Sequence, residues 1–373
     1  MTKTTVGKTT KIYKRTNVYD EALTRIRWLF DEFENVVVSF SGGKDSVVVL
    51  QLALIVAREK NRLPLNVMFI DQEAEWQATI DIVEKIMYME DIKPYWFQMP
   101  IKIFNATSTT ETWIECWDED KKDLWMREKD PISIKENTYG TNRFSDLFTK
   151  IVIKEFKQNT ANIGGVRTEE SPARYLGLTQ GNVYKGETWG KPLDTSKDIY
   201  TFYPIYDWSY SDVWKSIHEN NWDYCKIYDV QYSKGIPVQQ MRVSSLCHET
   251  AIGALSYLQE AERETWEKLT KRLSGIDTEG KFHKELRIPK DLPYMFRSWK
   301  DYRDYLLEKL TAEEVAKKKF KILFDKNDIL FQDNIDYYKT CGECILKNDY
   351  HSTILKNFII KEAWQQKNKE RKK

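Results

Sequence analysis

The stretch VVVSFSGGKDSVVVL, residues 36–50, decides the fold. Its first five residues are apolar or small and mostly β-branched, which predicts a buried parallel strand over residues 36–40. A polar loop follows, and a second apolar run predicts a helix over residues 46–59. Adjacent glycines let a backbone approach an anion, and the free N–H groups that open a helix attract one. The stretch therefore predicts a strand–loop–helix unit that binds phosphate or sulfate.

The loop has its own spacing. Gly42 and Gly43 stand side by side directly before Lys44, so neither the Walker A pattern nor the Rossmann G-x-G-x-x-G pattern fits. Asp45 is unusual in an anion site, and it would either cap the first helical turn or hold a magnesium ion. The other residues expected to contact the anion carry a hydroxyl, a bare backbone or a positive charge: Ser39, Ser41, Gly42, Gly43, Lys44 and Ser46.

The same plan repeats along the chain. Apolar segments predict strands at residues 67–70, within 93–100 and at the start of 160–171, with helical patterns between them. This alternation predicts an α/β fold with a parallel sheet. Ligands of open parallel sheets bind at the carboxyl ends of the strands. The loop, Asp71 and the glycine-rich turn after the last of these strands are therefore expected in one crevice.

The chain of 373 residues is too long for one small core. We expect a flexible arm over residues 1–17 and the α/β domain over 18–230, with an insertion or lid at 101–158. Mostly helical patterns follow, which predicts a helical region over 231–373.

Composition excludes several classes of protein. The net charge is +1, so nothing in the overall charge favours nucleic acid or acidic lipid, and only the basic tail 365–373 offers a weak nucleic-acid contact. No apolar run has transmembrane length and no signal peptide is apparent, so no membrane association is expected. Five cysteines argue against a disulfide scaffold and favour a cytoplasmic protein.

Four segments together resemble a known superfamily. They are SGGKDS (41–46), FIDQEAEW (69–76), GGVRTEESPARY (164–175) and YPIYDWSYSDVW (203–214). In this order they resemble the motifs of the PP-loop ATP-pyrophosphatase superfamily, in its phosphoadenosine-phosphosulfate (PAPS) reductase branch. The resemblance implies an adenine-nucleotide alpha-hydrolase-like, Rossmann-like topology. It also implies that the ligand is ATP or PAPS, with Mg²⁺.

The resemblance also implies roles for single residues. Adenine and ribose would lie beside the turn at Asp71, whereas Gly165, Arg167, Ser171 and Arg174 would meet phosphate or sulfate. The residues themselves leave an alternative for each position. Asp71 could be a helix N-cap.

The alternative for the two arginines is pairing with Glu169 or Glu170 at the surface. Asp207 and Asp212 are interpreted as caps, with their neighbouring tryptophans packed inward. Lys44 and Arg167 are the residues expected to be catalytic, because they would stabilise charge developing at the α-phosphorus.

Two later segments, MRVSSLCHETAIGAL (241–255) and CGECILKNDYH (341–351), resemble a narrower, sulfotransferase-like branch that includes a bacterial immunoglobulin-binding regulator. That resemblance implies a ParB-like protein partner. True PAPS reductases carry a cysteine in a Glu-Cys-Gly-(Ile/Leu)-His segment, and this chain does not have that order. Reductase chemistry is therefore not predicted.

The CxxC pair at Cys341 and Cys344 has three interpretations. It could be half of a zinc site completed by Cys247, His248 or His351, it could hold an iron–sulfur cluster, or it could be two buried or idle thiols.

Two functions remain open from the sequence. One is an enzyme that cleaves ATP or PAPS at the α-phosphate, or transfers a sulfur or adenylyl group, with an unknown second substrate. The other is a nucleotide-sensing regulator that acts through a protein or DNA partner.

Overall fold

The computed structural model describes residues 2–6, 9–107, 113–181, 183–273, 288–311, 314–347, 349 and 351–370. Its strands are β1 (Thr2–Val6), β2 (Thr9–Tyr13), β3 (Asn35–Ser39), β4 (Leu65–Ile70), β5 (Ile92–Phe97), β6 (Ile101–Phe104), β7 (Trp113–Cys116), β8 (Thr160–Ile163), β9 (Gly190–Asp194) and β10 (Ile199–Phe202).

The helices of the first two thirds of the chain are α1 (Val18–Glu32), α2 (Lys44–Glu59), α3 (Gln77–Met87), α4 (Phe144–Phe156), α5 (Pro172–Thr179), α6 (Tyr210–Glu219), α7 (Ile227–Ser233), α8 (Ile252–Ala261) and α9 (Arg263–Arg272). The later helices are α10 (Trp299–Leu310), α11 (Glu314–Asp328), α12 (Ile335–Leu346) and α13 (Thr353–Glu370). None of the helices in the described ranges is long and apolar enough to span a membrane.

A six-stranded sheet forms the centre of the molecule, in the order β5-β4-β3-β8-β10-β9. Its strands are parallel except β9, which runs antiparallel to β10. The chain moves from β3 to β4 on one side and returns to β8 on the other, so the order reverses at β3. This reversal is where open α/β sheets bind ligands. The predicted α/β fold with a parallel sheet and a helical C-terminal region is confirmed.

The hydrophobic side chains form two separate cores. The first surrounds the sheet and extends through α8 and α9 to Leu273. The second lies among α10 to α13 and includes Phe320, Phe324 and Tyr337. Side chains of α8 and α9 such as Leu258 and Leu269 are buried in the first core, so these two helices pack with the sheet.

Three further segments were singled out in the sequence. Residues 1–17, expected as a flexible arm, contain the antiparallel hairpin β1–β2. The insertion 101–158 contains the hairpin β6–β7 and helix α4. The last three residues of the basic tail, 371–373, lie outside the described residues.

Within the region predicted to be helical, α8 and α9 are separate helices that meet at Glu262. The carboxylate of Glu262 accepts hydrogen bonds from the backbone N–H groups of Gln77 and Ala78, at 2.7 and 2.9 Å. These groups open α3 and have no partner within their own helix. The break at Glu262 thus places a carboxylate on another helix's N-terminus, a contact that the local pattern does not reveal.

Candidate functional site

The loop between β3 and α2 is closed by its own serines. Gly42 has a φ of +73°, a conformation that favours glycine. The hydroxyl of Ser46 accepts a hydrogen bond from the backbone N–H of Ser41 (3.2 Å) and donates to the carbonyl of Gly43 (2.8 Å). Gly43 is the N-cap of α2 and makes no side-chain cap bond. The backbone N–H of Lys44, the first residue of α2, donates to the hydroxyl of Tyr228 at 3.1 Å, so one of the N–H groups that open this helix already has a partner.

The turn after β8 packs directly on this loop. A Cβ at Gly165 would lie 2.7 Å from the carbonyl carbon of Asp45 and 2.8 Å from the backbone nitrogen of Ser46. Only glycine permits this approach. The structure thus brings Gly165 and the loop together, as the sequence predicts.

Asp45 pairs with two cations. One carboxylate oxygen contacts Nε of Arg167, and the other lies 3.1 Å from Nζ of Lys44. Asp45 therefore does not cap α2. Because both oxygens already face cations, the loop does not fit a magnesium ion held by Asp45.

Lys44 and Arg167, the two residues expected to be catalytic, are both buried. Lys44 donates from Nζ to the carbonyl of Met241 at 3.3 Å, and its ammonium lies over the Tyr228 ring at 5.3 Å. Burial lowers the pKa of Lys44. Both cations contact Asp45, and neither is among the residues that line the cavity described below.

The other predicted phosphate contacts lie next to these groups. Ser171 caps α5 by accepting from the backbone N–H of Arg174 at 3.2 Å. The guanidinium of Arg174 pairs with Glu170, and that of Arg167 contacts Glu169 at 3.1 Å. The alternative of arginine–glutamate pairing therefore describes this ligand-free arrangement.

Arg242 is a cation that the sequence analysis missed. Burial, and next the nearby charge of Arg242, lower the pKa of Arg174. Arg242 also contributes to the lowered pKa of Lys44, so it lies near both. It forms no ion pair with any residue in the described ranges. In the sequence, what could have pointed to Arg242 is its position within the segment 241–255.

Asp71 lies directly after β4, between Ile70 and Gln72, which line the cavity described below. Its side chain is fully buried. Its carboxylate accepts from the Glu73 backbone N–H (2.9 Å), Trp96 Nε1 (3.0 Å) and Gln98 Nε2 (2.9 Å), and it contacts Arg127. The carboxylate is thus saturated. It does not cap α3, whose N-cap is Trp76, and it orders the turn that follows β4.

A cavity of about 680 Å³ opens at the carboxyl ends of β3 and β4. The sheet contributes Ser39, Phe40, Ser41, Met68, Phe69 and Ile70. The insertion contributes Lys102, Ile103, Phe104, Trp113, Arg143, Phe144, Ser145 and Phe148. The remaining lining residues are Gln72, Glu75, Val243, Ser244, Ser245, His248, Lys319 and His351. The cavity thus joins the loop to the insertion and to the helical region.

Glu75 lines this cavity and is the second residue that the sequence analysis missed. Its side chain is 6% exposed. Burial, and next the charge of Asp71, raise the pKa of Glu75 to about 8. Such a carboxyl can hold or release a proton near neutral pH. The signal was present as three acids within FIDQEAEW, but the sequence does not tell which of them faces a ligand.

The cysteines do not assemble the zinc site that was considered. Cys341 and Cys344 lie in α12 within the second core, whereas Cys247 belongs to the first. The described part of the chain has no group of three or more His, Cys, Asp or Glu side chains placed to hold a metal. Burial raises the pKa of Cys341 to about 12. Two buried thiols are therefore the better description.

The two aspartates interpreted as caps make structural contacts. Asp207 forms a two-point ion pair with Arg25, with both N–O distances at 2.8 Å. Asp212 and Ser209 form the capping box of α6. Neither carboxylate lines the cavity.

Comparison with known proteins agrees with this geometry. Residues 35–234 match the model of the phosphoadenosine phosphosulfate reductase domain, and residues 235–323 match a domain of unknown function, DUF3440. YbdN, an uncharacterized protein of Escherichia coli (strain K12), is 27% identical over 327 residues, which cover 81% of this chain and 78% of YbdN. Sulfate adenylyltransferase subunit 2 of Mycobacterium tuberculosis (strain ATCC 25618 / H37Rv) is 53% identical over 51 residues, or 14% of this chain and 16% of that protein.

Two solved structures are similar at a lower level. PAPS reductase from Candida auris has a TM-score of 0.34 at 16% identity and covers 56% of this chain and 84% of its own. FMN adenylyltransferase from Candida glabrata with FMN and an ATP analogue has a TM-score of 0.36 at 16% identity, covering 58% and 64%. The family match spans more than half of the 373 residues. This chain therefore belongs to the phosphoadenosine phosphosulfate reductase domain family.

Proposed function

We propose that the protein is an enzyme that binds an adenine nucleotide, ATP or PAPS, and cleaves it at the α-phosphate in a reaction with a second substrate. One observation carries this proposal. The cavity is continuous with Ser39 and Ser41, at the carboxyl ends of the two strands beside the glycine loop. Its volume of about 680 Å³ falls within the roughly 300–1,000 Å³ of ordinary ligand pockets.

The phosphate groups would lie at the start of α2. Gly43 is partly exposed there, and the helix dipole favours negative charge. Arg174 and Arg242 are the nearby cations that are not buried. Lys44 and Arg167 hold the loop in shape through Asp45.

The adenosine part would lie in the cavity, against apolar side chains of the strand ends such as Met68 and Ile70. This pose keeps the ring out of water while the phosphates stay on the loop. It also accounts for the buried Asp71, which orders the turn beside the cavity and does not contact the ligand.

With ATP, an acceptor atom of the second substrate would form a bond to the α-phosphorus. The bond from that phosphorus to the oxygen bridging to the β-phosphorus would break, and pyrophosphate would leave with the electron pair. The acceptor's proton would pass to Glu75 when that carboxyl is ionised. Positioning on the loop and the nearby arginines would supply the charge stabilisation.

A nucleotide-sensing regulator is the second candidate. It is favoured by the pairing of Lys44 and Arg167 with Asp45, which leaves neither expected catalytic cation facing the cavity. Its partner would be a protein, for which the resemblance implies a ParB-like one, or DNA.

The test uses Gly43→Ala. A Cβ at this position would meet the hydroxyls of Ser41 and Tyr228 at an ordinary 3.5 Å, so we expect the fold to tolerate it. The methyl group would occupy the path of the phosphate, so affinity for ATP or PAPS should fall by about tenfold or more. Gly253→Ala, where nothing lies within 4 Å, is the matched control.

Calorimetry measures binding, and product analysis looks for pyrophosphate, AMP or adenosine 3′,5′-bisphosphate. Turnover that depends on the loop supports the enzyme. Binding that depends on the loop but is not followed by turnover supports the sensor. Nucleotide affinity that Gly43→Ala leaves unchanged contradicts both candidate functions.

A further inference from the structure

Three cations line the cavity. Lys102 lies on β6, Arg143 directly precedes α4, and Lys319 lies on α11. None of the three forms an ion pair with another residue in the ranges that the structure describes. This contrasts with Lys44 and Arg167 at the loop, which share Asp45.

Two of these cations are held as neighbours by the backbone. Lys102 donates its N–H to the carbonyl of Asn142 at 2.7 Å, and a parallel bridge joins Lys102 to Arg143. The ammonium of Lys102 also lies 5.6 Å from the centre of the Trp113 ring. Both cations therefore approach the cavity from the same edge of the insertion.

The third cation comes from the helical region, which contacts the insertion at this point. The rings of Phe104 and His351 meet edge to face with centroids 5.5 Å apart. Lys319 and His351 both line the cavity. The insertion and the helical region therefore share one wall.

Arg143 and Lys319 are exposed and Lys102 is half-buried, so solvent screens part of their mutual repulsion and a bound anion would offset the rest. Glu75 is the acid among the lining residues, and at neutral pH its raised pKa leaves it mostly protonated. It cannot balance three positive charges. A lysine point charge beside an arginine fork suits a tetrahedral oxyanion.

We propose that Lys102, Arg143 and Lys319 form a second anion-binding site, separate from the glycine loop, for a phosphate or sulfate group carried by the ligand that fills the cavity. The inference rests on the proposed function only in assuming that the cavity holds a ligand. The group has two sources, a further phosphate on the nucleotide's ribose or an anionic group on the second substrate. With either source, Lys319 takes part in ligand recognition. Lys319 lies in the region that matches a domain of unknown function.

Calorimetry on the full chain at low salt tests the site. AMP and adenosine 3′,5′-bisphosphate are titrated separately, and inorganic phosphate is titrated into the free and the AMP-saturated protein. The variants are Lys102→Ala and Lys319→Ala. Lys318→Ala is the matched control, because Lys318 is exposed on the same helix and does not line the cavity.

Two results support the site and separate its sources. If the bisphosphate binds about tenfold more tightly than AMP, and Lys319→Ala but not Lys318→Ala removes that preference, the anion belongs to the nucleotide. If the two nucleotides bind equally, and phosphate binds the AMP-saturated protein with the same dependence on Lys319, the anion belongs to a separate molecule.

Anion binding that is unchanged by both Lys102→Ala and Lys319→Ala, or absent in the parent protein, overturns the proposal. Failure of the proposed nucleotide function is distinguishable, because AMP would then not bind or Gly43→Ala would leave its affinity unchanged. Phosphate binding to the free protein that depends on Lys319 would still support the second site in that case.

Discussion

Gly165 lies against the backbone of Asp45, so closely that a Cβ at position 165 would be 2.7 Å from the Asp45 carbonyl carbon and 2.8 Å from its oxygen. Neither contact involves a flexible side chain that could move aside. Because residue 165 has no side chain, the turn after β8 can pack directly against the backbone at the start of α2.

Gly165→Ala should separate these two segments. We expect a loss of stability of about 1–3 kcal/mol, typical of overpacking, together with weaker nucleotide binding because the loop is displaced. Urea unfolding and calorimetry measure the two effects. Gly177→Ala is the control, since nothing lies within 4 Å of that helical position and alanine favours helix. Equal stability of the two variants would contradict the packing argument.

Glu75→Gln should change how stability depends on pH. The unfolded carboxyl ionises near 4.5, whereas burial raises the pKa of the folded one to about 8. Between these values the folded protein keeps a proton that the unfolded chain has released, so stability falls as pH rises, by up to about 1.4 kcal/mol per pH unit. Glutamine does not ionise, so the stability of the variant should not decrease with pH through this position.

Urea midpoints of both proteins at pH 5, 6, 7 and 8 test this expectation. The urea midpoint of the variant, relative to that of the parent protein, should rise steadily from pH 5 to pH 8. Parallel curves would show that Glu75 ionises normally in the folded state.

Arg272→Met should be strongly destabilising. Arg272 and Glu73 form a buried pair at 2.8 Å between α9 and the turn after β4, and Glu73 also accepts from the Trp117 backbone N–H. Removing the arginine leaves a buried carboxylate without its cation, which costs about 3–5 kcal/mol. Chemical denaturation measures it.

The double variant Glu73→Gln/Arg272→Met should lose less than the sum of the single changes, because no lone charge remains. Arg263→Met removes an exposed pair with Glu267, and its effect should stay below about 1 kcal/mol. A cost for Arg272→Met as small as that of Arg263→Met would refute the assignment.

The five cysteines should react slowly with a thiol reagent in the native protein. All are buried, and burial raises the pKa of Cys225 to about 11 and that of Cys341 to about 12. Thiolate is the reactive form, so at pH 8 we expect urea to accelerate labelling by about a hundredfold or more. Fast native labelling of Cys341 or Cys344, or stoichiometric zinc by elemental analysis, would restore the alternative roles.

Much of the fold follows from local pattern. The apolar runs at 36–40 and 67–70 predicted strands that the structure has as β3 and β4, and the helix predicted over 46–59 begins two residues earlier, at Lys44. Burial on both faces requires a continuous apolar run, so such a run identifies a parallel strand without knowledge of its neighbours. The hairpin β6–β7 and the break at Glu262 escaped prediction because both depend on distant partners.

The site was predictable only in part for the same reason. By itself, the sequence determined that a glycine loop, an acidic turn and an arginine-bearing turn meet at one edge of a parallel sheet, because strand direction places them there. Only the tertiary structure decided what each side chain does at that edge. Asp45 pairs with Lys44 and Arg167, Asp71 is buried among hydrogen-bond donors, and the cavity takes its cations from the insertion and α11. The pair of Asp45 with Arg167 joins residues more than a hundred positions apart. Such pairs form only when distant segments pack together, so no single segment predicts them.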